Sequence, residues 1–136
     1  QLLDLRLFPP EVVKAELAFY LKHQQKYGLP LDSRKKYAKL DWIGWVASMG
    51  TRKDFDALMK PVYRWVHETP TRVPLADHYW ADSGDQVVHW KERNIGFQGR
   101  PVVGAIFVAL LKNEEMWRKY RGAAQAESTA HHLQTP

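Results

Sequence analysis

Ionisable side chains that could act on a substrate are concentrated in residues 28–42, which read GLPLDSRKKYAKLDW. Lys39 and Asp41 stand two positions apart in this stretch, next to the predicted start of a helix. A paired ammonium and carboxylate at a cleft can stabilise developing charge and steer a water molecule. Side chains two positions apart share a face only in extended chain, so the pairing requires a non-helical backbone here. The alternative is that Asp41 only caps the helix.

Asp32 and Arg34 precede this pair in the same stretch. A guanidinium offers two parallel N–H donors, so Arg34 could hold the carboxylate of a ligand. Arg34 could equally pair with Asp32 on the surface, where such an ion pair contributes little to stability. We therefore treat both residues as candidates for substrate binding, with a surface ion pair as the alternative.

Two more candidates lie later in the chain. Asp77 falls in the segment TRVPLADHY, which has loop character, and functional residues are concentrated in loops. Its alternative role is to satisfy backbone donors in a turn. Arg100 directly precedes Pro101, the predicted start of a helix, where the positive end of the helix dipole disfavours a cation. We therefore expect Arg100 to form a buried ion pair or to bind an anionic ligand.

The composition excludes several classes of function. The chain has no cysteine, which removes disulfides, thiolate metal sites and cysteine nucleophiles. It contains no phosphate-binding loop, HExxH motif or nucleophile elbow, and His131-His132 is an isolated pair, so we predict no cofactor and no metal. The net charge is +5, but Lys and Arg form no stripe, and no apolar run approaches the length of a membrane span. We predict neither a nucleic-acid nor a membrane partner.

Four helices must position these residues. Apolar side chains at helical spacing predict helices from Pro10 to about Lys26 and from Lys39 to Met49. Gly28 is placed to cap the first helix in a left-handed conformation. A final helix is predicted from Pro101, with an apolar stripe to Leu111 and a polar continuation to Arg121. Together with the helix described next, these elements predict an all-α fold.

The third helix begins after Thr51, which forms a capping-box pattern with Asp54. Its apolar residues continue at helical spacing to Val66, and Pro61 inside it is expected to kink or split the helix. Residues 68–100 have no helical period and predict one long loop, in which residues 87–90 could form a strand of a short β-hairpin. The apolar faces are wider than four helices can cover, which indicates that a larger body packs against them.

Three segments in order carry a family resemblance: YGLPLDSRKKYAKLDW, ETPTRVPLADHY and FQGRPVVGAIFVALL. Together with FPPEV and ELAFYL, they resemble the C-terminal part of the glutaminase A-like family of fungi and bacteria. The resemblance runs from about Leu5 to Leu111. It implies helical hairpins that form part of an (α/α)6 toroid. Residues 1–121 would be the C-terminal part of that domain, and residues 122–136 a flexible tail.

The resemblance also implies an activity, which is hydrolysis of L-glutamine to L-glutamate and ammonia by a secreted or cell-envelope protein. The chain would be the C-terminal portion or small chain of that enzyme, and its partner would be the N-terminal remainder. On this basis we predict two catalytic residues, Asp41 and Lys39. Substrate binding is predicted for the other four candidates: Asp32, Arg34, Asp77 and Arg100.

Two alternatives stay open. A glycoside hydrolase of the same architecture would place two carboxylates, one of them Asp41 or Asp77, beside a sugar stacked on Trp42 or Trp90. A non-catalytic helical module would instead use its exposed apolar faces to dock a partner. Between these interpretations, the resemblance favours part of a glutaminase-like hydrolase that needs the rest of the toroid.

Overall fold

A computed structural model describes residues 7–70, 74–86, 98–116 and 118–119. Helices dominate these residues, which agrees with the predicted helical class. The predicted strand at residues 87–90 and the predicted tail lie outside the described residues. The elements in chain order are α1 (Pro10–His23), β1 (Tyr37–Lys39), α2 (Leu40–Met49), α3 (Arg52–Glu68), β2 (His78–Trp80) and a 3₁₀ helix (Pro101–Lys112).

Helix α1 ends earlier than the sequence predicted, because the backbone at Gln24 is extended, with φ −59° and ψ 144°. Gly28 therefore does not cap the helix. It lies in a turn with φ +140°, closed by a 2.8 Å hydrogen bond from the Gln25 amide to the Gly28 carbonyl. A Cβ atom at Gly28 would lie 3.0 Å from the Tyr79 hydroxyl, so both backbone conformation and space favour glycine here.

Helix α3 begins as predicted. Thr51 and Asp54 form a capping box, with bonds of 2.9 Å from the Thr51 amide to Asp54 Oδ2 and 3.3 Å from the Asp54 amide to Thr51 Oγ1. Of the two expected effects of Pro61, a kink or a split, the split does not occur, because α3 continues through Pro61 to Glu68. Proline removes the N–H that would bond the Ala57 carbonyl, and the Gln24 side chain of the preceding segment donates to that carbonyl at 3.2 Å.

The core is centred on two stacked aromatic rings that are fully buried. Trp65 of α3 and Tyr79 of β2 lie parallel, with ring centroids 3.8 Å apart. Both polar atoms are satisfied: Trp65 Nε1 donates to the Gly84 carbonyl, and the Tyr79 hydroxyl donates to the Tyr27 carbonyl, each at 2.9 Å. Burial raises the pKa of Tyr79 above its ordinary value. This core fixes β2 against α3 and thereby fixes the residues that flank β2.

Strands β1 and β2 form a short antiparallel sheet that the sequence analysis did not predict. The register pairs Tyr37 with Trp80, Ala38 with Tyr79, and Lys39 with His78. Ala38 and Tyr79 are fully buried in the core. Because successive side chains of a strand point to opposite faces, the other four side chains share the second face. The sheet therefore brings the loop after α3 next to the start of α2.

The last predicted helix is a 3₁₀ helix that packs along α2. Gly44 permits the close approach, because a Cβ atom there would lie 2.6 Å from the Ala105 carbonyl oxygen. At the far end, Lys112 Nζ donates to the Gly50 carbonyl at 2.8 Å. Residues 114–116 continue as a helical turn, while part of the predicted extension to Arg121 lies outside the described residues.

Several large apolar side chains are exposed on these helices. Trp42 and Trp45 of α2 are about half exposed, with relative accessibilities of 48% and 47%, whereas Ile43 between them is buried. Phe107 and Leu110 of the 3₁₀ helix are exposed as well. No helix among the described residues has the length and apolar character needed to cross a membrane.

Candidate active site

The junction of β1 and α2 brings Lys39 and Asp41 together. Lys39 ends the strand with an extended backbone, and Asp41 lies in the first turn of the helix. This change of backbone direction places Lys39 Nζ 3.5 Å from Asp41 Oδ2. Lys39, not Asp41, occupies the N-cap position, and no side chain caps this helix. The capping interpretation of Asp41 was therefore wrong, although a carboxylate in the first turn still suits the helix dipole.

Asp77, whose side chain is fully buried, forms an ion pair beside that junction with Arg100, whose side chain is 37% exposed. The Asp77 carbonyl accepts a 2.8 Å hydrogen bond from the Leu40 amide, which fixes the start of β2 to the start of α2. The Asp77 side chain is fully buried, and Arg100 donates from Nε to Oδ1 at 2.9 Å and from Nη2 to Oδ2. The hydrogen bonds that Arg100 donates to Asp77 raise the pKa of Arg100, and the charges of Asp77 and Asp41 add to this shift.

We call Lys39, Asp41, Asp77 and Arg100 the ion-pair cluster. Lys39 Nζ lies 3.9 Å from Asp77 Oδ2, so one ammonium stands between two carboxylates. Two cations and two carboxylates give the cluster a formal charge of zero. The structure thus brings together four of the six site residues that the sequence predicted. Lys39 ends β1, Asp41 lies in the first turn of α2, Asp77 precedes β2, and Arg100 precedes the 3₁₀ helix.

One oxygen of the cluster has no hydrogen-bond partner among the residues that the structure describes. Asp41 is only 4% exposed, and its Oδ1 atom has no hydrogen-bond partner among the described residues. A buried acceptor without a donor costs about 1–3 kcal/mol, and more when the group is charged. Such an atom is suited to accept a hydrogen bond from a water molecule or a ligand. Lys39 provides a neighbouring donor whose side chain is 21% exposed.

The other two predicted residues, Asp32 and Arg34, are paired with each other on a loop. Arg34 Nη2 donates to Asp32 Oδ2 at 2.6 Å, and the Arg34 amide donates to Asp32 Oδ1 at 2.8 Å. These bonds lower the pKa of Asp32 to about 2. The Arg34 side chain is 75% exposed, and it also donates from Nε to Asp32 Oδ2 at 3.1 Å and from Nη2 to the Tyr37 hydroxyl at 3.3 Å. The geometry therefore fits the surface-pair alternative, at the rim of the sheet face that carries Lys39.

Sequence reasoning did not single out Tyr37 or His78, which share that sheet face with Lys39. Their rings meet edge to face with centroids 4.7 Å apart, and His78 is 7% exposed. The pattern that could have indicated this face is the alternation in Tyr37-Ala38-Lys39, where a buried small residue separates two polar ones. A run of three residues is too short for this alternation to be distinguished from loop.

The described residues contain no group of three or more His, Asp or Glu side chains placed to hold a metal ion. The structure thus defines a helical domain in which a short sheet gathers two buried carboxylates and two partly exposed cations. Residues 1–110 match the glutaminase A six helical-hairpin domain, and the chain belongs to that family.

Two curated relatives are similar to this chain over most of its length. Glutaminase A of Aspergillus oryzae is 33% identical over 109 residues, which cover 80% of this chain and 15% of the relative. A protein of Arthroderma benhamiae named "Probable glutaminase" is 34% identical over 107 residues, which cover 75% of this chain and 11% of the relative. The chain thus spans only a small part of the length of these relatives. No solved structure matches.

Proposed function

We propose that this chain supplies the ion-pair cluster to the active site of a glutaminase-like amidohydrolase, which converts L-glutamine to L-glutamate and ammonia. Family membership and the names of the relatives support the class of reaction. The single observation that carries the site is the buried Asp41 carboxylate, whose Oδ1 lacks a partner among the described residues and whose Oδ2 faces an ammonium.

In this proposal Asp41 is the base and Lys39 is the electrophilic group. Asp41 accepts a proton from water as the water oxygen forms a bond to the amide carbon. The carbonyl oxygen gains negative charge, which the Lys39 ammonium stabilises. The carbon–nitrogen bond then breaks, the nitrogen leaves as ammonia after receiving a proton, and the carbon remains as the carboxyl group of glutamate.

Burial divides the four predicted substrate-binding residues into two roles. Arg100 and Asp77 engage each other through both carboxylate oxygens, so we assign them to holding Lys39 and Asp41 in place. Asp32 and Arg34 form an exposed pair, and exposed ion pairs are weak enough to be exchanged for a ligand. We therefore assign binding of the substrate carboxylate to Arg34 and not to Arg100.

The exposed apolar residues support a partner for this chain. We propose that Trp42 and Trp45 of α2, with Phe107 and Leu110 of the 3₁₀ helix, pack against the N-terminal remainder of the same enzyme. A native mass well above one or two copies of 15.9 kDa, with a second polypeptide present, is the expected result. A single small species would contradict this part of the proposal and favour the non-catalytic module. A secreted or cell-envelope location stays a prediction.

The reaction is tested by incubating the complete enzyme with L-glutamine and, separately, with a panel of glycosides. The expected result is ammonia release from glutamine and no sugar release. The glycosidase alternative requires two carboxylates that reach the substrate, and Asp77 is fully buried with both oxygens bound to Arg100. Sugar release without ammonia release would overturn the proposed function.

A further inference from the structure

A buried histidine lies beside the ion-pair cluster and differs from His23 and His67, the other two histidines within the described ranges. His23 and His67 are exposed, each stacks on an aromatic residue four positions earlier in its own helix, and each ring Nδ1 bonds the carbonyl of that residue. His78 is 7% exposed and meets Tyr37, a residue 41 positions away, across the sheet. Local helix contacts thus account for His23 and His67, but not for His78.

The register of the sheet places His78 next to the reacting groups. His78 is the direct cross-strand partner of Lys39, and directly opposed residues have Cβ atoms about 5 Å apart on the same face. Lys39 in turn contacts Asp41 at 3.5 Å. Among the described residues, the titratable groups nearest His78 on the sheet are Tyr37 and Lys39 of β1 and the adjacent Asp77. Asp41 of α2 contacts Lys39, and Arg100 before the 3₁₀ helix contacts Asp77.

The last step of the reaction needs a proton donor, and besides the Asp41 carboxyl group that has taken a proton from water, the described neighbourhood offers the imidazole of His78. The leaving nitrogen must receive a proton as its bond to carbon breaks. Lysine and arginine hold their protons too tightly near neutral pH, whereas imidazolium releases one in the range of about pH 5–8. Resting on the proposed function, we infer that His78 is the general acid that protonates the leaving nitrogen.

The proton balance closes within the site. His78 passes one proton to the nitrogen, and Asp41 has taken one proton from the attacking water. Transfer of the Asp41 proton back to His78, directly or through water, restores both groups. Tyr37 contacts the imidazole ring edge to face and is a positioning residue for it.

The test is the pH dependence of kcat for ammonia release by the complete enzyme. We expect kcat of the native enzyme to fall at alkaline pH with a midpoint in the histidine range, about pH 6–8. His78→Gln should lower kcat about 100-fold or more and abolish that alkaline limb. His67→Gln is the matched control, because His67 also contacts a tyrosine but is exposed on α3. This control should keep both the rate and the pH profile.

Three results would overturn the inference. The first is a His78→Gln enzyme that keeps the native pH profile. The second is a native enzyme whose kcat is flat from about pH 6 to 9, because a histidine acid is expected to lose its proton in this range. This second result can be obtained even if the His78→Gln variant does not fold. The third is a native enzyme that releases no ammonia from glutamine, which overturns the proposed function together with this inference. In the first two cases the proposed function stands.

Discussion

Asp77 and Asp32 each bind an arginine side chain, but the two ion pairs differ in their exposure to water. Asp77 is fully buried and receives both donors of Arg100 on separate oxygens. Asp32 lies on a loop and binds an arginine that is 75% exposed. A buried charge that loses its partner is strongly destabilising, whereas an exposed pair exchanges with water at little cost. The buried pair therefore suits a positioning role, and the exposed pair suits exchange with a ligand.

The largest stability effect is expected from Arg100→Ala, which would leave the Asp77 carboxylate buried without its main partner. We expect a loss of about 3 kcal/mol, at the lower end of the range for broken buried pairs, because Lys39 stays 3.9 Å away. Thermal unfolding measures this loss. Arg52→Ala, which removes an exposed pair with Asp56 on α3, is the control and should have little effect. Equal shifts in the two variants would remove the distinction between buried and exposed pairs.

A smaller effect on stability is expected from Gly44→Ala. This variant tests whether the close packing of the 3₁₀ helix on α2 positions Arg100 beside Asp77. The new Cβ atom would lie 2.6 Å from the Ala105 carbonyl oxygen and would push the 3₁₀ helix away from α2. Overpacking of this kind costs about 1–3 kcal/mol. Gly104→Ala is the matched control in the 3₁₀ helix, where a Cβ atom would meet nothing within 4 Å. If Gly44→Ala unfolds at the same temperature as this control, the close packing has no energetic importance.

The smallest effect is expected from Asp32→Asn, and it depends on pH. Arg34 lowers the pKa of Asp32 from 3.8 to about 2, so the carboxylate stabilises the fold above about pH 4 and loses this contribution as pH falls to about 2. The pair is exposed, so the difference in unfolding temperature between the native protein and Asp32→Asn should be small and should shrink further in salt. It should vanish near pH 2. A large difference that persists there would contradict the assignment of this pair to the surface.

Features that depend on neighbouring residues were predictable from the sequence. The capping box of Thr51 and Asp54 and the approximate start of α2 follow from local patterns, and both are present. The candidate residues of the ion-pair cluster were also identified, because a cation before a helix start and a loop carboxylate are locally unusual. Their roles in binding and catalysis stay predictions.

Features that depend on distant residues were not predictable. Strand β1 has only three residues, which are too few to show the alternation that marks a strand. Its partner strand, β2, begins 39 positions after the last residue of β1, so the pairing leaves no local pattern either. Helix α3 continues through Pro61 because Gln24, 33 positions before Ala57, donates to the carbonyl that proline leaves unbonded. The pairing of Arg100 with Asp77 likewise depends on how the 3₁₀ helix packs against α2. Contacts of this kind are set by tertiary packing, which one sequence does not specify locally.

The central claim is that the unpartnered carboxylate of Asp41 acts on the substrate, and Asp41→Asn in the complete enzyme tests it most directly. The amide has nearly the same shape but cannot accept a proton from water. We predict that kcat for ammonia release from L-glutamine falls about 10²–10⁴-fold, with unfolding temperature little changed. Asp56→Asn, an exposed aspartate on α3, serves as the control and should keep the native rate. A near-native kcat in Asp41→Asn would contradict the claim.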